Sequence, residues 1–175
     1  MENNKPGYWR FAAMIGTTMV VMFVLMYLNS YTVGHVRWSE TRFYMTLIMG
    51  AGMAVVMLSY MMGMYDNRKV NLAIFSGSLI VILAAVWLVR SQATVQDSSY
   101  MNAMIPHHSI AILTSERATI RDVRVRDLAD EIIRAQRREI EEMNWLIEDI
   151  KKNGAVTSAS EAAARPVPDF EGSKK

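Results

Sequence analysis

The sequence predicts an all-α protein: three transmembrane helices followed by a soluble antiparallel helical hairpin, half of a four-helix bundle. Three observations carry this. Charge is almost absent from Phe11 to Val89 outside two short connections, and dense in Arg, Glu and Asp from Arg90 onward. Three uncharged apolar runs are each about as long as a helix needs to cross a bilayer core of roughly 30 Å. Beyond them, apolar residues recur at three-to-four spacing, the period of an amphipathic helix.

The first run, Phe11 to Leu28, holds 18 residues without charge, and Tyr8 and Trp9 extend it with an interfacial aromatic pair. No small-x-small cleavage site follows it, so it reads as an uncleaved anchor. Phe43 to Tyr65 (23 residues) and Val70 to Val89 (20 residues) are the second and third runs. Tyr31, Trp38, Tyr44, Tyr65 and Trp87 lie near the predicted ends, as an aromatic belt would. Three spans put the termini on opposite sides of the lipid bilayer. Lys5, Arg10, Arg68 and Lys69 fall on one side and Arg37, Arg42 and Arg90 on the other. This balance favours a cytoplasmic N-terminus and a periplasmic C-terminal domain in a bacterial inner membrane.

The expected organisation is residues 1–90 in the membrane, a hairpin at 97–152 and a disordered tail at 153–175. Asp97, Ser98 and Ser99 offer N-cap side chains for a helix running to about Thr119, with Pro106 inside it. Ile120 to Arg124 reads as a turn. The second helix, to about Lys152, has apolar positions at Val125, Leu128, Ile132, Ile140, Met143, Ile147 and Ile150, and Asn153-Gly154 stops it. A lone hairpin buries little apolar surface, so a homodimer, or docking on the membrane helices, is expected.

The absence of cysteine excludes disulfides and thiolate metal sites. A net charge of +2 with interleaved signs gives no nucleic-acid footprint. The candidate site is Met101, Met104 and His108, which share one helical face at i, i+3 and i+7; His107 points about 100° away. Met143 of the second helix, with Gln136 and Glu139 on the same face, could stand opposite. Thioethers suit Cu(I) and imidazole suits copper or zinc, so copper comes first. Buried methionine is also an ordinary core filler, and a histidine pair can be structural. His35 in the first connection is a possible additional ligand.

The segment MIPHHSIAILTSERA followed by VRDLADEIIRAQRREIEEMNWL resembles the domain of unknown function 305 family. The carrying positions are the Met-x-His-His-type helix and Leu128, Ala129, Ile132, Gln136, Glu139, Ile140, Met143 and Trp145-Leu146. The resemblance implies a ferritin-like helical bundle, tethered to the membrane, that binds copper through Met104, His107, His108 and Met143. Thr114 and Leu113 stand where the family often has a further methionine and an acidic residue.

Met45, Met49, Met53, Met57 and Met61 recur at i+4 on the second span. Such a row sweeps about 160° on a 3.6-residue helix, which suits packing or lipid contact better than one narrow line. A Cu(I) path is the sharper alternative. No Glu-x-x-His pair, Ser-His-Asp spacing, phosphate loop or zinc protease motif is present, so no catalysis is expected. The first expectation is a membrane-tethered copper-binding protein for sequestration, delivery or tolerance, with copper-handling proteins as possible partners. An assembly module, or a transport subunit using the membrane methionines, are the alternatives.

Overall fold

The computed structural model describes residues 7–171. Among them are six α-helices and no strand: α1 (Tyr8–Leu25), α2 (Glu40–Met61), α3 (Arg68–Ser91), α4 (Asp97–Arg117), α5 (Val123–Asn153) and α6 (Ala159–Ala164). A 3-10 turn, Val33–His35, sits in the first connection. Helices α1, α2 and α3 are long and apolar enough to cross a membrane.

The chain divides into two compact units. The first comprises residues up to 28 with 40–94, that is, the three apolar helices. Helix α2 packs on both α1 and α3. Its inner face is made of small residues, Gly50, Ala51 and Ala54, with Thr46 and Leu58. The Met19 side chain of α1 lies where a Cβ on Gly50 would stand, so glycine is what admits it. Gly52, two residues on, faces open space. Helix α2 ends at Met61, short of the expected Tyr65, because the chain turns there and brings Tyr65 back into the core. Tyr65 is 3% exposed, its ring 5.5 Å from Phe11 and 4.9 Å from Tyr8 between centroids. Asn67 then caps α3, its side chain accepting from the Lys69 and Val70 amides. Buried Asn71 accepts from the Tyr8 hydroxyl (2.8 Å) and donates to the Tyr65 carbonyl (2.8 Å). Apolar surroundings strengthen such hydrogen bonds.

The methionine row follows its drift. Met45 and Met49 are exposed, whereas Met57 and Met61 pack on the Phe11, Leu58 and Tyr65 cluster. The five do not share one environment.

The second unit comprises residues 29–39 with 95 onward. Residues 29–39 therefore group with α4 and α5, not with the apolar helices as the expected boundary at 90 would have it. Contacts between α4 and α5 run in opposite order along the two helices: Ser115 meets Arg126, His108 meets Glu139, and Met101 shares a cluster with Ile150. The buried centre is Met101, Ile105, Ile112, Ile140 and Met143. Arg137 and Glu116 close one flank as an ion pair.

Helix α4 starts one residue earlier than its polar run suggests. Gln96 is the N-cap, without a side-chain bond, and Asp97 sits in the first turn, where a carboxylate favours the positive helix end. Its far end is Arg117 rather than Thr119, since Ala118 is extended. Asp122 caps α5 by accepting from the Arg124 amide (2.9 Å), and hydrogen bonds from Arg124 hold its carboxyl below the usual range. Val125 and Leu128, read as part of the apolar stripe, are 48% and 55% exposed; Ala129 is buried in their place.

The tail expected to be disordered carries structure. Ser158 caps α6, and Arg165 returns to the end of α5. Arg165 pairs with Asp149 (Nε to Oδ2, 3.0 Å) and donates to the carbonyls of Gly154 (2.7 Å) and Asn153 (3.4 Å). Gly154, at φ +80°, makes the turn that permits this return.

Candidate functional site

A cavity of about 620 Å³ lies within the second unit. Helix α4 lines it with Asp97, Tyr100, Met101, Met104 and His108, at one-turn spacing down a single face. Helix α5 supplies Glu139, Glu142, Met143, Trp145, Leu146, Asp149 and Ile150. The tail closes part of it with Val156, Ala162, Arg165 and Val167.

His108 is 9% exposed and held at both nitrogens. Nδ1 stands 2.9 Å from the Met104 carbonyl, which can only accept, so Nδ1 carries a hydrogen. That bond fixes the ring and turns Nε2 toward Glu139 Oε2, 2.7 Å away. Gln136 donates to the same carboxylate oxygen at 3.5 Å, a long contact that steadies Glu139 rather than reaching the cavity. Of the residues singled out from sequence, Met101, Met104, His108, Glu139 and Met143 are thus brought together around one space.

Two are not. His107 is exposed and absent from the cavity wall, because consecutive helical residues diverge by about 100°. His35 lines a separate cavity of about 170 Å³ with Tyr31, Thr32, Ile112, Arg137, Ile140 and Glu141. Its Nδ1 lies 3.0 Å from the Ser109 hydroxyl, which also accepts from the Tyr31 amide at 2.7 Å. Ser109 is fully buried, so this hydroxyl is what docks the first connection on α4. Arg37 adds a bond to Asn144 of α5 (3.1 Å). Desolvation, and then the nearby Arg37 charge, push His35 below the usual histidine range. Sequence reasoning does not single out Ser109, Tyr100, Glu142, Asp149 or Arg165. For those on α4 and α5, helical spacing from Met104 or Met143 was the available signal.

Among the described residues, no three of His, Cys, Asp and Glu group as a metal site. The sequence-predicted donors on this wall are three thioethers, one imidazole and one carboxylate, and Asp97, Glu142 and Asp149 add further carboxylates; the thioethers are the soft ligands that suit Cu(I).

Comparison with known proteins agrees with the resemblance read from sequence. The family described as a domain of unknown function (DUF305) matches residues 97–173. The chain is also 34% identical, over 151 residues, to an uncharacterized protein of Acanthamoeba polyphaga mimivirus, covering 82% of this chain and 97% of that protein.

The chain belongs to the DUF305 family.

The DUF305 match spans α4, α5 and α6, and so contains every residue of the larger cavity. Likeness to the viral protein is longer than the DUF305 segment, and so reaches into the part of the chain that carries the apolar helices. No solved structure matches the chain.

Proposed function

We propose that this protein is a membrane-tethered, non-catalytic metal-binding protein whose cargo is copper, as Cu(I), held for sequestration, delivery or tolerance. The observation that carries the reading is His108. Its Nδ1–H is locked on a backbone carbonyl, the arrangement that fixes a ligating imidazole and leaves Nε2, now engaged by Glu139, as the nitrogen that would ligate. Met101, Met104 and Met143 line the space beside it. Glu139 serves as proton partner: when Nε2 gives up its proton to ligate, the carboxylate 2.7 Å away is the nearest acceptor. His107, on the exposed side, fits a role in transfer to a partner rather than in the buried set.

In this reading α4 and α5 are half of a ferritin-like four-helix bundle that a second copy completes. Exposed Val123, Val125 and Leu128 supply apolar surface for that pairing. Helices α1 to α3 anchor the domain, and the balance of basic residues supports the outer face of a bacterial inner membrane. The spread of the methionine row between exposed and core positions supports packing and lipid contact over a transport path.

The test is metal retention by the full chain in detergent. After loading with Cu(I), Cu(II) or Zn(II) and desalting, the wild type retains Cu(I). The Met104→Leu, His108→Ala variant retains none while keeping its helicity, and His107→Ala stays close to wild type. Equal, negligible retention by wild type and the double variant overturns the reading in favour of a membrane-anchored assembly module.

A further inference from the structure

The tail gives the larger cavity a wall that is attached unlike the rest of it. Helix α6 is six residues long with none buried, and a helix that short is not stable by itself in water. Bonds within the tail hold its shape. Ser158 Oγ accepts from the Glu161 amide (3.3 Å), and Glu161 Oε2 accepts from the Thr157 amide (3.2 Å). Toward α5, the polar contacts of residues 155–167 all pass, among the described residues, through one side chain. Arg165 meets Asp149 and the carbonyls of Asn153 and Gly154. The chain enters the tail through Gly154, at φ +80° and with open space where a Cβ would stand. A segment held within itself, pivoted at one end and fastened by one side chain at the other, moves as a unit. Its few buried contacts put it at the low-stability end of the fold, from which lids are drawn. What it covers is the candidate site. Val156, Ala162, Arg165 and Val167 share the cavity wall with Met101 and Met143. Asp149, the fastening point, lies six positions beyond Met143 on α5, about 9 Å of helix. Met101 reaches this same end of α5, since it clusters with Ile147 and Ile150.

We propose that residues 155–167 are a strap that opens and closes over the Met101 end of the cavity, with Arg165 and Asp149 as its latch. Opening swings the strap about Gly154 and leaves the pairing of α4 with α5 in place. Asp149 then keeps the Asn153 amide (2.8 Å) and loses its cation. The consequence for cargo rests on the proposed function. The strap sets how fast Cu(I) enters and leaves, and not how tightly it is held, because none of the proposed donors belongs to the tail.

The first test needs no metal. The chain has no cysteine, so one introduced thiol reports on one place. Leu146 and Ile147 are neighbours on α5 and both pack on the Met101 and Met143 core, but only Leu146 lines the cavity. Leu146→Cys and Ile147→Cys are made in the full chain, each with and without Arg165→Ala, and labelled in nonionic detergent with a water-soluble maleimide. Arg165→Ala is expected to speed labelling of Leu146→Cys at least about tenfold, the ratio that losing one or two hydrogen bonds to a charged group produces. Labelling of Ile147→Cys stays as it was. No acceleration at Leu146→Cys overturns the strap. Equal acceleration at both positions also overturns it, since that is fraying of α5. The second test follows transfer of Cu(I) from the loaded, cysteine-free chain to bicinchoninate. Arg165→Ala speeds transfer by a similar factor and leaves the amount retained at equilibrium unchanged. Faster labelling with unchanged transfer overturns the gating role. A wild type that retains no Cu(I) sinks the metal reading instead, and the labelling result still decides the strap.

Discussion

His108 Nε2 lies 2.7 Å from Glu139 Oε2, and this one contact ties the middle of α4 to the middle of α5. The histidine is nearly buried and the carboxylate 41% exposed, so solvent screens the pair from one side only. Glu139→Ala leaves a buried ring nitrogen without a partner. It should lower the stability of the metal-free protein by about 1–3 kcal/mol. On the proposed reading it also removes the group that competes for Nε2, so Cu(I) raises the melting temperature of this variant by more than that of the wild type. Thermal unfolding with and without Cu(I) checks both; an identical metal-induced shift in the two proteins contradicts the role given to Glu139.

Ser109→Ala should release the first connection. The hydroxyl is the acceptor for the Tyr31 amide and faces His35, and it is fully buried. Removing it leaves the amide unpaired, at about 1–3 kcal/mol. Hydrogen exchange should show lost protection at Tyr31 with α5 little changed.

The docking of residues 29–39 should depend on pH through His35. Its folded-state value lies below the usual 6.5 because burial and Arg37 disfavour the charged ring. The unfolded or undocked form therefore binds the proton more readily. Stability is fully present above the ordinary histidine value and is lost as pH falls from there through the lowered one. Arg137, ion-paired with Glu116, and Glu141 line the same cavity. Exchange rates at residues 29–36 should rise on acidification in the wild type, and the rise should flatten in His35→Gln.

Gly50 and Gly52 should respond oppositely to alanine. A Cβ at Gly50 meets the Met19 side chain, so Gly50→Ala separates α1 from α2 at a cost on the order of 1 kcal/mol. Met19→Ala in the same chain should recover most of it, since the two changes act on one contact. Gly52 faces open space, and Gly52→Ala should be neutral or stabilise by roughly 0.4–1 kcal/mol. Unfolding in graded denaturing detergent separates the two outcomes.

Arg165→Ala should free the tail. Asp149, whose side chain is 11% exposed, loses its cationic partner and keeps only the Asn153 amide, and two carbonyls lose a donor. The loss is about 1–3 kcal/mol at the α5 terminus. Limited proteolysis should then cut between residues 155 and 167 much faster than in the wild type, with α4 and α5 resisting as before.

The sequence by itself determined what depends on neighbours a few residues away. The three apolar spans follow from run length, and α4 and α5 from apolar period and the Asn153-Gly154 stop. The face shared by Met101, Met104 and His108 follows from helical geometry. Family membership follows from the same local strings. The tertiary structure decided what depends on distant partners. Ser109 meets Tyr31 across 78 positions, and Asp149 meets Arg165 across a glycine turn. Neither pairing leaves a periodic trace, because a single buried hydroxyl or a single ion pair imposes no repeat. Hence the first connection reads as a membrane loop and the tail as disordered until their contacts are seen. The same reason separates the two adjacent histidines. Both carry the same local signal, and only the packing of α5 on one face of α4 gives His108 a carboxylate and a cavity while leaving His107 to solvent.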